Sequence, residues 1–185
     1  MRDEWTDEEI VDLHDESAHN PQDWYYCAET LFTSASHLMY GLHQGPAAKR
    51  LETGGRMDSH FLSYGLLLGY SLECVCKGLW VAAGNRIVTN RKVTGIDGVN
   101  DHDLLGLTRK VGLALSTDES TVVNRLSYVV KAAGRYPVPK YPREMLPRTV
   151  KGRGPVDPAH FSMDDWALAS NVTGRILNEL HNKMY

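Results

Sequence analysis

Apolar residues recur every three or four positions along much of this chain, the spacing that gathers side chains on one face of an α-helix. Several of these stretches begin with a serine or threonine followed three residues later by an acid, as at Thr6 and at Ser116. A short acidic helix is expected to begin at Thr6. Longer helices are predicted over residues 22–42, 58–83, 102–115, 117–133 and 162–183.

The longest apolar run extends from Phe61 to Ala83 and contains only two charged residues, Glu73 and Lys77. A charged residue near the centre of a bilayer costs roughly 2.5–3.5 kcal/mol even on a lenient insertion scale. A helix that is apolar around most of its circumference is also typical of the centre of a soluble bundle. We therefore expect a buried core helix here and no membrane span.

The segments between the predicted helices differ in composition. Residues 84–100 are rich in glycine and asparagine, with β-branched residues among them, which indicates a loop or a small hairpin. Residues 135–159 contain six prolines and are expected to form an extended, irregular segment before the last helix. The sequence thus predicts an all-α fold, with a bundle of four to five helices over residues 21–185 and an acidic helical extension over residues 1–20.

Charge is unevenly distributed along the chain, although the net charge is only −3. Residues 1–30 carry ten acids and a single base, whereas residues 135–153 carry six bases and a single acid. A site for a polyanion must therefore be local, and the candidate contacts to an RNA backbone are Arg143, Arg148, Lys151 and Arg153. The alternative is a solvated segment that docks against the acidic N-terminal helix.

The three cysteines, Cys27, Cys74 and Cys76, are an odd number and have no metal-ligand spacing. Cys74 and Cys76 lie in the apolar run, where a free thiol behaves as a small hydrophobic side chain, so a reducing compartment fits best. The first ten residues have neither the basic region nor the apolar core of a secretory signal. We expect a cytoplasmic protein with no bound metal or cofactor.

Three motifs follow one another in a fixed order: SLECVCKGLW on the central helix, DHDLLGL at the start of the next, and AAGRYP at the end of the one after. In this order they resemble the HEPN superfamily, and the resemblance covers about residues 22–180. In that family the central helix carries a Glu followed four residues later by a Lys. The next helix begins with His-Asp-Leu, and a later one ends in Arg-Tyr-Pro. The matching positions here are Glu73, Lys77, His102 and Arg135.

The resemblance implies a protein that acts on RNA or nucleotides, such as a metal-independent, toxin-like endoribonuclease of a defence or toxin–antitoxin system. It also implies a homodimer and a separate antitoxin partner of the nucleotidyltransferase type. The alternative function is a non-catalytic HEPN module for dimerisation or scaffolding that binds a protein partner.

Glu73 and Lys77 must find polar partners because the helix around them is nearly apolar, and their spacing favours pairing with each other. A polar network of these two residues with His102 and Arg135 is expected. The network either holds the bundle together or faces a groove, in which case Glu73 and Arg135 take part in catalysis.

Family members that cleave RNA carry an arginine separated by four to six residues from a histidine. Arg175 with His181 and Arg153 with His160 have this separation, but chance supplies roughly one or two such pairs in a chain of this composition. Arg175 and His181 lie on a predicted helix, about 120° apart around its axis, and are the preferred catalytic pair. No histidine lies at this separation after Arg135. The sequence therefore leaves open whether the protein is an enzyme.

Overall fold

The structure is a computed structural model that describes residues 6–44, 59–133, 148–150, 154–156 and 161–185. These ranges contain six α-helices: α1 (Asp7–Ala18), α2 (Pro21–Gln44), α3 (Ser59–Ala82), α4 (Leu104–Lys110), α5 (Thr117–Tyr128) and α6 (Met163–Met184). A π-helical turn over Val129–Ala133 extends α5. The strands in the same ranges form two antiparallel hairpins, β1 (Val88–Thr89) with β2 (Lys92–Val93) and β3 (Arg148–Val150) with β4 (Gly154–Val156). The all-α prediction is confirmed at this level.

Three of the helices begin with a capping box. In each box a hydroxyl accepts a hydrogen bond from the backbone N–H three residues later, and the acid at that later position accepts one from the N–H of the capping residue. The pairs are Thr6 with Glu9, Ser116 with Glu119, and Ser162 with Asp165. Because these bonds are local, the sequence places the starts of α1, α5 and α6 within one or two residues.

Helix α3 lies at the centre of the bundle and contacts α2, α4, α5 and α6. Its Leu68, Leu72 and Val75 have no exposed surface. The other helices cover it with a continuous set of buried side chains, including Ala28, Leu104, Leu126, Trp166 and Ile176. A smaller apolar cluster of Ala18, Val81, Ile87 and Val88 joins the end of α1 to the β1–β2 hairpin.

Within the described ranges, α3 is the one helix long and apolar enough to cross a membrane, over Phe61–Ala82. Its most apolar window is 67% buried against the rest of the protein. The prediction of a core helix is therefore confirmed, because its apolar surface is covered by its neighbours.

Helix α4 is shorter than predicted, since it spans Leu104–Lys110 and not residues 102–115. It begins late because Asp103 is its capping residue, with a carboxylate that accepts a hydrogen bond from the Gly106 N–H. It ends early because Gly112 adopts a φ of 77°, a left-handed conformation that stops a helix at little cost. His102 therefore lies in the turn that precedes α4.

The β1–β2 hairpin lies in the segment for which the sequence predicted a loop or a small hairpin. Asn90 and Arg91 form its two-residue turn with φ values of 52° and 61°, which makes it a type I′ turn. In the proline-rich segment, the described positions are the extended strands β3 and β4. The other residues of that segment, Arg135 among them, lie outside the described residues.

Candidate functional site

Glu73 and Lys77 lie one helical turn apart in the middle of α3, and each is only 7% exposed. The Lys77 ammonium donates a hydrogen bond to Glu73 Oε1 over 2.8 Å. The acid precedes the base along the helix, the order that favours this pairing. The burial and the pairing expected from the sequence are both present.

Asp101 and His102 reach this ion pair from the turn before α4. The Asn100 side chain accepts a hydrogen bond from the His102 backbone N–H at 3.0 Å, and the capping residue Asp103 follows directly, so the turn is held at both ends. His102 Nδ1 lies 3.0 Å from Glu73 Oε2. We call Glu73, Lys77, Asp101 and His102 the Glu73 cluster.

The two oxygens of Glu73 have different partners, because Oε1 accepts from Lys77 and Oε2 contacts His102. A carboxylate paired with an ammonium group can only accept hydrogen bonds, so His102 Nδ1 must carry a proton. In the neutral imidazole the lone pair is then on Nε2, which can act as a base. No hydrogen bond to Nε2 occurs among the described residues.

Asp101 is the second carboxylate beside Lys77. Its Oδ1 lies 3.3 Å from Lys77 Nζ, an ion pair that lacks the angles of a hydrogen bond. Burial lowers the pKa of Lys77. The hydrogen bond that Lys77 donates to Glu73 and the negative charges of Glu73 and Asp101 outweigh burial, so the pKa of Lys77 is above its usual value.

His102 is the open end of the cluster. Its side chain is 30% exposed, whereas those of Glu73 and Lys77 are 9% exposed. Tyr70 stands edge-on to the His102 ring, with centroids 6.2 Å apart. On the other side the Trp24 ring of α2 lies 5.6 Å from Lys77 Nζ, a cation–π distance that covers the lysine. A ligand can therefore approach the cluster at His102.

A groove of about 460 Å³ adjoins the turn that carries His102. It is lined by Arg86, Asp97, Asn100 and the backbone around Gly95 and Gly98. Gly95 has a φ of 79°, and a side chain there would overlap the Asp101 carboxylate. Glycine is therefore favoured here for two reasons: the loop needs a left-handed backbone, and the Asp101 carboxylate occupies the space of a side chain.

The preferred pair from the sequence, Arg175 and His181, has partners on different helices. Arg175 Nη2 lies 2.9 Å from Glu119 Oε1 at the start of α5. The His181 ring packs against Tyr25 of α2 and Tyr185, with centroids 5.4 and 5.0 Å away. The described contacts therefore give the two side chains different partners, and none of them joins one to the other.

The remaining predicted site residues lie wholly or partly outside the described residues. Arg135, the fourth expected member of the polar network, is among them. So are the alternative pair Arg153 and His160 and the predicted RNA contacts Arg143 and Lys151. The backbone of Arg148 begins β3, opposite Val156.

A second buried ion pair was not predicted from the sequence. Arg125 of α5 is 7% exposed, its Nη1 lies 3.0 Å from Asp165 Oδ2, and its guanidinium stacks 4.3 Å from the Phe161 ring centre. The available signal was an arginine between Val122 and Leu126, inside the apolar stripe of α5. Burial raises the pKa of Asp165, but hydrogen bonds from Ser162 and Arg125 outweigh it and lower the pKa below its usual value.

No three histidine, cysteine, aspartate or glutamate side chains in the described part of the chain are placed to hold a metal ion. Comparisons with protein-family models, curated proteins and solved structures find no match to this chain.

Proposed function

We propose that this chain is a HEPN-like helical protein that acts on RNA or a nucleotide, with His102 as its proton-transfer residue. The observation that carries the proposal is the bond between His102 Nδ1 and the buried carboxylate of Glu73, which leaves Nε2 without a hydrogen bond to any described residue on a side chain that is 30% exposed. A partly exposed histidine oriented by a buried carboxylate is suited to general acid–base chemistry near neutral pH. The order of the three motifs supports the same assignment.

In RNA cleavage, neutral His102 would accept the proton of a ribose 2′-hydroxyl at Nε2 while the 2′-oxygen attacks the neighbouring phosphorus. The 5′-oxygen leaves with a proton from water, and the products are a 2′,3′-cyclic phosphate and a 5′-hydroxyl. Glu73 acts as a positioning residue that keeps the Nδ1 proton in place. Lys77 holds the other oxygen of Glu73 through a 2.8 Å hydrogen bond, so the carboxylate is fixed in place beneath His102.

The negative charge that develops on the phosphate during cleavage would be stabilised by a cation near His102. Arg86 lines the adjoining groove and its side chain is 73% exposed, although its Nη2 lies 3.4 Å from Asp15 Oδ2. It is the described cation that we assign to this task, and the phosphate would take the place of the Asp15 carboxylate. Arg135, placed by the Arg-Tyr-Pro motif, is the second candidate. Arg143, Arg148, Lys151 and Arg153 stay the proposed contacts to a longer RNA backbone, which would make binding weaken steeply with salt.

His102 replaces the pair Arg175 and His181 in this proposal because of their neighbours. Arg175 already pairs with the Glu119 carboxylate, and His181 packs between two tyrosine rings. His102, in contrast, has its Nδ1 held by the Glu73 carboxylate, whereas the described contacts of His181 are ring packing alone.

The experiment compares cleavage of total RNA and of a short labelled RNA, with and without a chelator. We expect chelator-independent cleavage that falls roughly a hundredfold or more in His102→Ala, the usual contribution of a positioned base. His37→Ala is the matched control, since His37 is exposed on α2, away from the cluster. Full activity in His102→Ala, or loss in His181→Ala alone, would overturn the assignment to His102.

The second candidate function is a non-catalytic module for dimerisation or scaffolding that binds a protein partner. It is favoured by the deep burial of Glu73 and Lys77 and by the direct hydrogen bond between them, which suit a purely structural ion pair. Wild-type protein that neither cleaves nor binds RNA at low salt would support this function.

The resemblance also leads us to propose a homodimer and a separate antitoxin partner of the nucleotidyltransferase type. Light scattering measures the mass of the particle in solution. Co-expression with a candidate nucleotidyltransferase, followed by purification through a tag on one chain only, tests the partner.

A further inference from the structure

Two thiols from neighbouring helices meet at the surface of the bundle. Cys27 Sγ of α2 lies 3.7 Å from Cys74 Sγ of α3, although the residues are 47 positions apart. Cys27 is exposed, Cys74 is partly buried, and both are free thiols. The two sulfur atoms are in contact but are not joined by a covalent bond.

The backbones on both sides of this contact hold the thiols together. On one side, Ser71 Oγ of α3 donates a 2.8 Å hydrogen bond to the Ala28 carbonyl of α2. On the other, Gly78 of α3 packs so closely on α2 that a Cβ there would lie 3.0 Å from Trp24 Cβ. Because Cys27 and Cys74 lie between these two points along their helices, helix packing fixes their closeness.

We propose that Cys27 and Cys74 form an oxidation site, where a low-molecular-weight disulfide such as glutathione disulfide converts the two thiols into an intramolecular disulfide that joins α2 to α3. Disulfides that form in a reducing compartment are usually transient and redox-sensing, which fits a pair of free thiols poised for bonding. The oxidation of these two thiols does not depend on any action of the protein on RNA.

The reaction takes two exchange steps. The Cys27 thiolate first attacks one sulfur of glutathione disulfide, the bond between the two glutathione sulfurs breaks, and one glutathione thiolate leaves. Cys74 then loses its proton to water and attacks the Cys27 sulfur, and the second glutathione thiolate leaves. Two protein thiols are oxidised, and one disulfide is reduced to two thiols.

Exposure sets the order of the steps. Cys27 is open to solvent, whereas burial raises the pKa of the Cys74 thiol, so Cys27 is the thiol that reacts first with the oxidant. Cys76, two residues further along α3, is fully buried, and burial raises its pKa as well. It can neither meet the oxidant nor reach Cys27, so it serves as the control.

The new bond would lie beside the Glu73 cluster. Cys74 directly follows Glu73, and Cys27 is three residues from Trp24, whose ring covers Lys77. Oxidation would therefore join α2, which carries Trp24, covalently to α3 beside the Glu73 cluster.

The test incubates the full-length protein with glutathione buffers of increasing oxidised fraction, quenches it with acid and measures intact mass and tryptic peptides. Wild type and Cys76→Ala should lose two hydrogens and yield one linked peptide that contains Cys27 and Cys74. In Cys74→Ser the first step should be trapped, so that Cys27 carries one glutathione. Cys27→Ser should give neither product, and circular dichroism checks that each variant is folded.

Two results would overturn the proposal. One is a wild-type protein that stops at the glutathione adduct on Cys27 in the most oxidising buffer, because the two sulfurs then do not meet. The other is a disulfide between two chains through Cys27 in place of the intramolecular bond, which a non-reducing gel detects as a species of doubled mass.

Discussion

His102 Nδ1 lies 3.0 Å from Glu73 Oε2, across 29 positions of sequence and between a turn and the central helix. This contact gives the histidine a defined proton arrangement, because an ionised carboxylate can only accept a hydrogen bond, so the nitrogen that faces it carries the proton. It also connects the buried ion pair of α3 to the surface.

The first prediction concerns the tautomer of His102. Neutral His102 should carry its proton on Nδ1, because Glu73 binds that nitrogen, and ¹⁵N NMR of the imidazole reports which nitrogen is protonated. Glu73→Gln should remove this preference, since an amide can present either a donor or an acceptor. An Nε2–H tautomer in the wild type would show that Glu73 does not orient the ring.

The second prediction concerns the stability of the buried ion pair. Glu73→Ala leaves the buried Lys77 ammonium with Asp101 as its one remaining charge partner among the described residues. We expect a loss on the order of 3–5 kcal/mol in the free energy of unfolding, measured by urea titration. The control Glu29→Ala removes an exposed carboxylate of α2 and should change stability by about 0.5 kcal/mol or less. An unchanged urea midpoint for Glu73→Ala would contradict the burial.

The third prediction compares two glycines in helices. Gly69 of α3 packs against Val130, and a Cβ there would overlap the valine side chain, so Gly69→Ala should destabilise the protein by about 1–3 kcal/mol. Gly41 of α2 has no atom within 4 Å of the same added Cβ, so Gly41→Ala should stabilise it by roughly 0.5–1 kcal/mol. Thermal unfolding of both variants measures the difference, and shifts of the same sign would contradict the close approach of α3 and the π-helical turn.

The fourth prediction concerns the β1–β2 turn. Arg91 holds a φ of 61°, a left-handed conformation that costs less for glycine than for arginine. Arg91→Gly should raise the free energy of unfolding by up to about 1 kcal/mol, since the second position of a type I′ turn favours glycine. Thr89→Gly, in the adjoining strand, should lower it. Equal losses in both variants would count against the type I′ turn.

The fifth prediction is a pH dependence. The pKa of Asp165 is below its usual value of 3.8 in the folded protein, where Ser162 and Arg125 bind the carboxylate. Its contribution to stability is therefore present above that pH and is lost as the pH falls through the lower, folded value. Asp165→Asn should be less stable than wild type at about pH 7, and the gap should narrow at about pH 3. A gap that stays constant across urea titrations at both pH values would contradict the lowered pKa.

Local patterns predicted much of the fold. The capping boxes at Thr6, Ser116 and Ser162 involve residues three positions apart, so the local sequence is enough to predict where these helices begin. The same holds for the pairing of Glu73 with Lys77, which one helical turn brings together. The one large error, the length of α4, arose because apolar spacing continues past Gly112, whereas the left-handed backbone of that glycine ends the helix.

Only the tertiary structure decided which distant side chains meet. By itself the sequence determined the helices, their caps and the presence of an ion pair in the core helix, because bonds within one or two helical turns depend on spacing alone. The contacts of His102 with Glu73, Arg125 with Asp165 and Cys27 with Cys74 depend on how the helices pack and cross. Packing also gave Arg175 and His181 neighbours on different helices, although their spacing had made them a pair. Spacing along a chain carries no information about those crossing geometries, since they are set by the fit of whole helix surfaces.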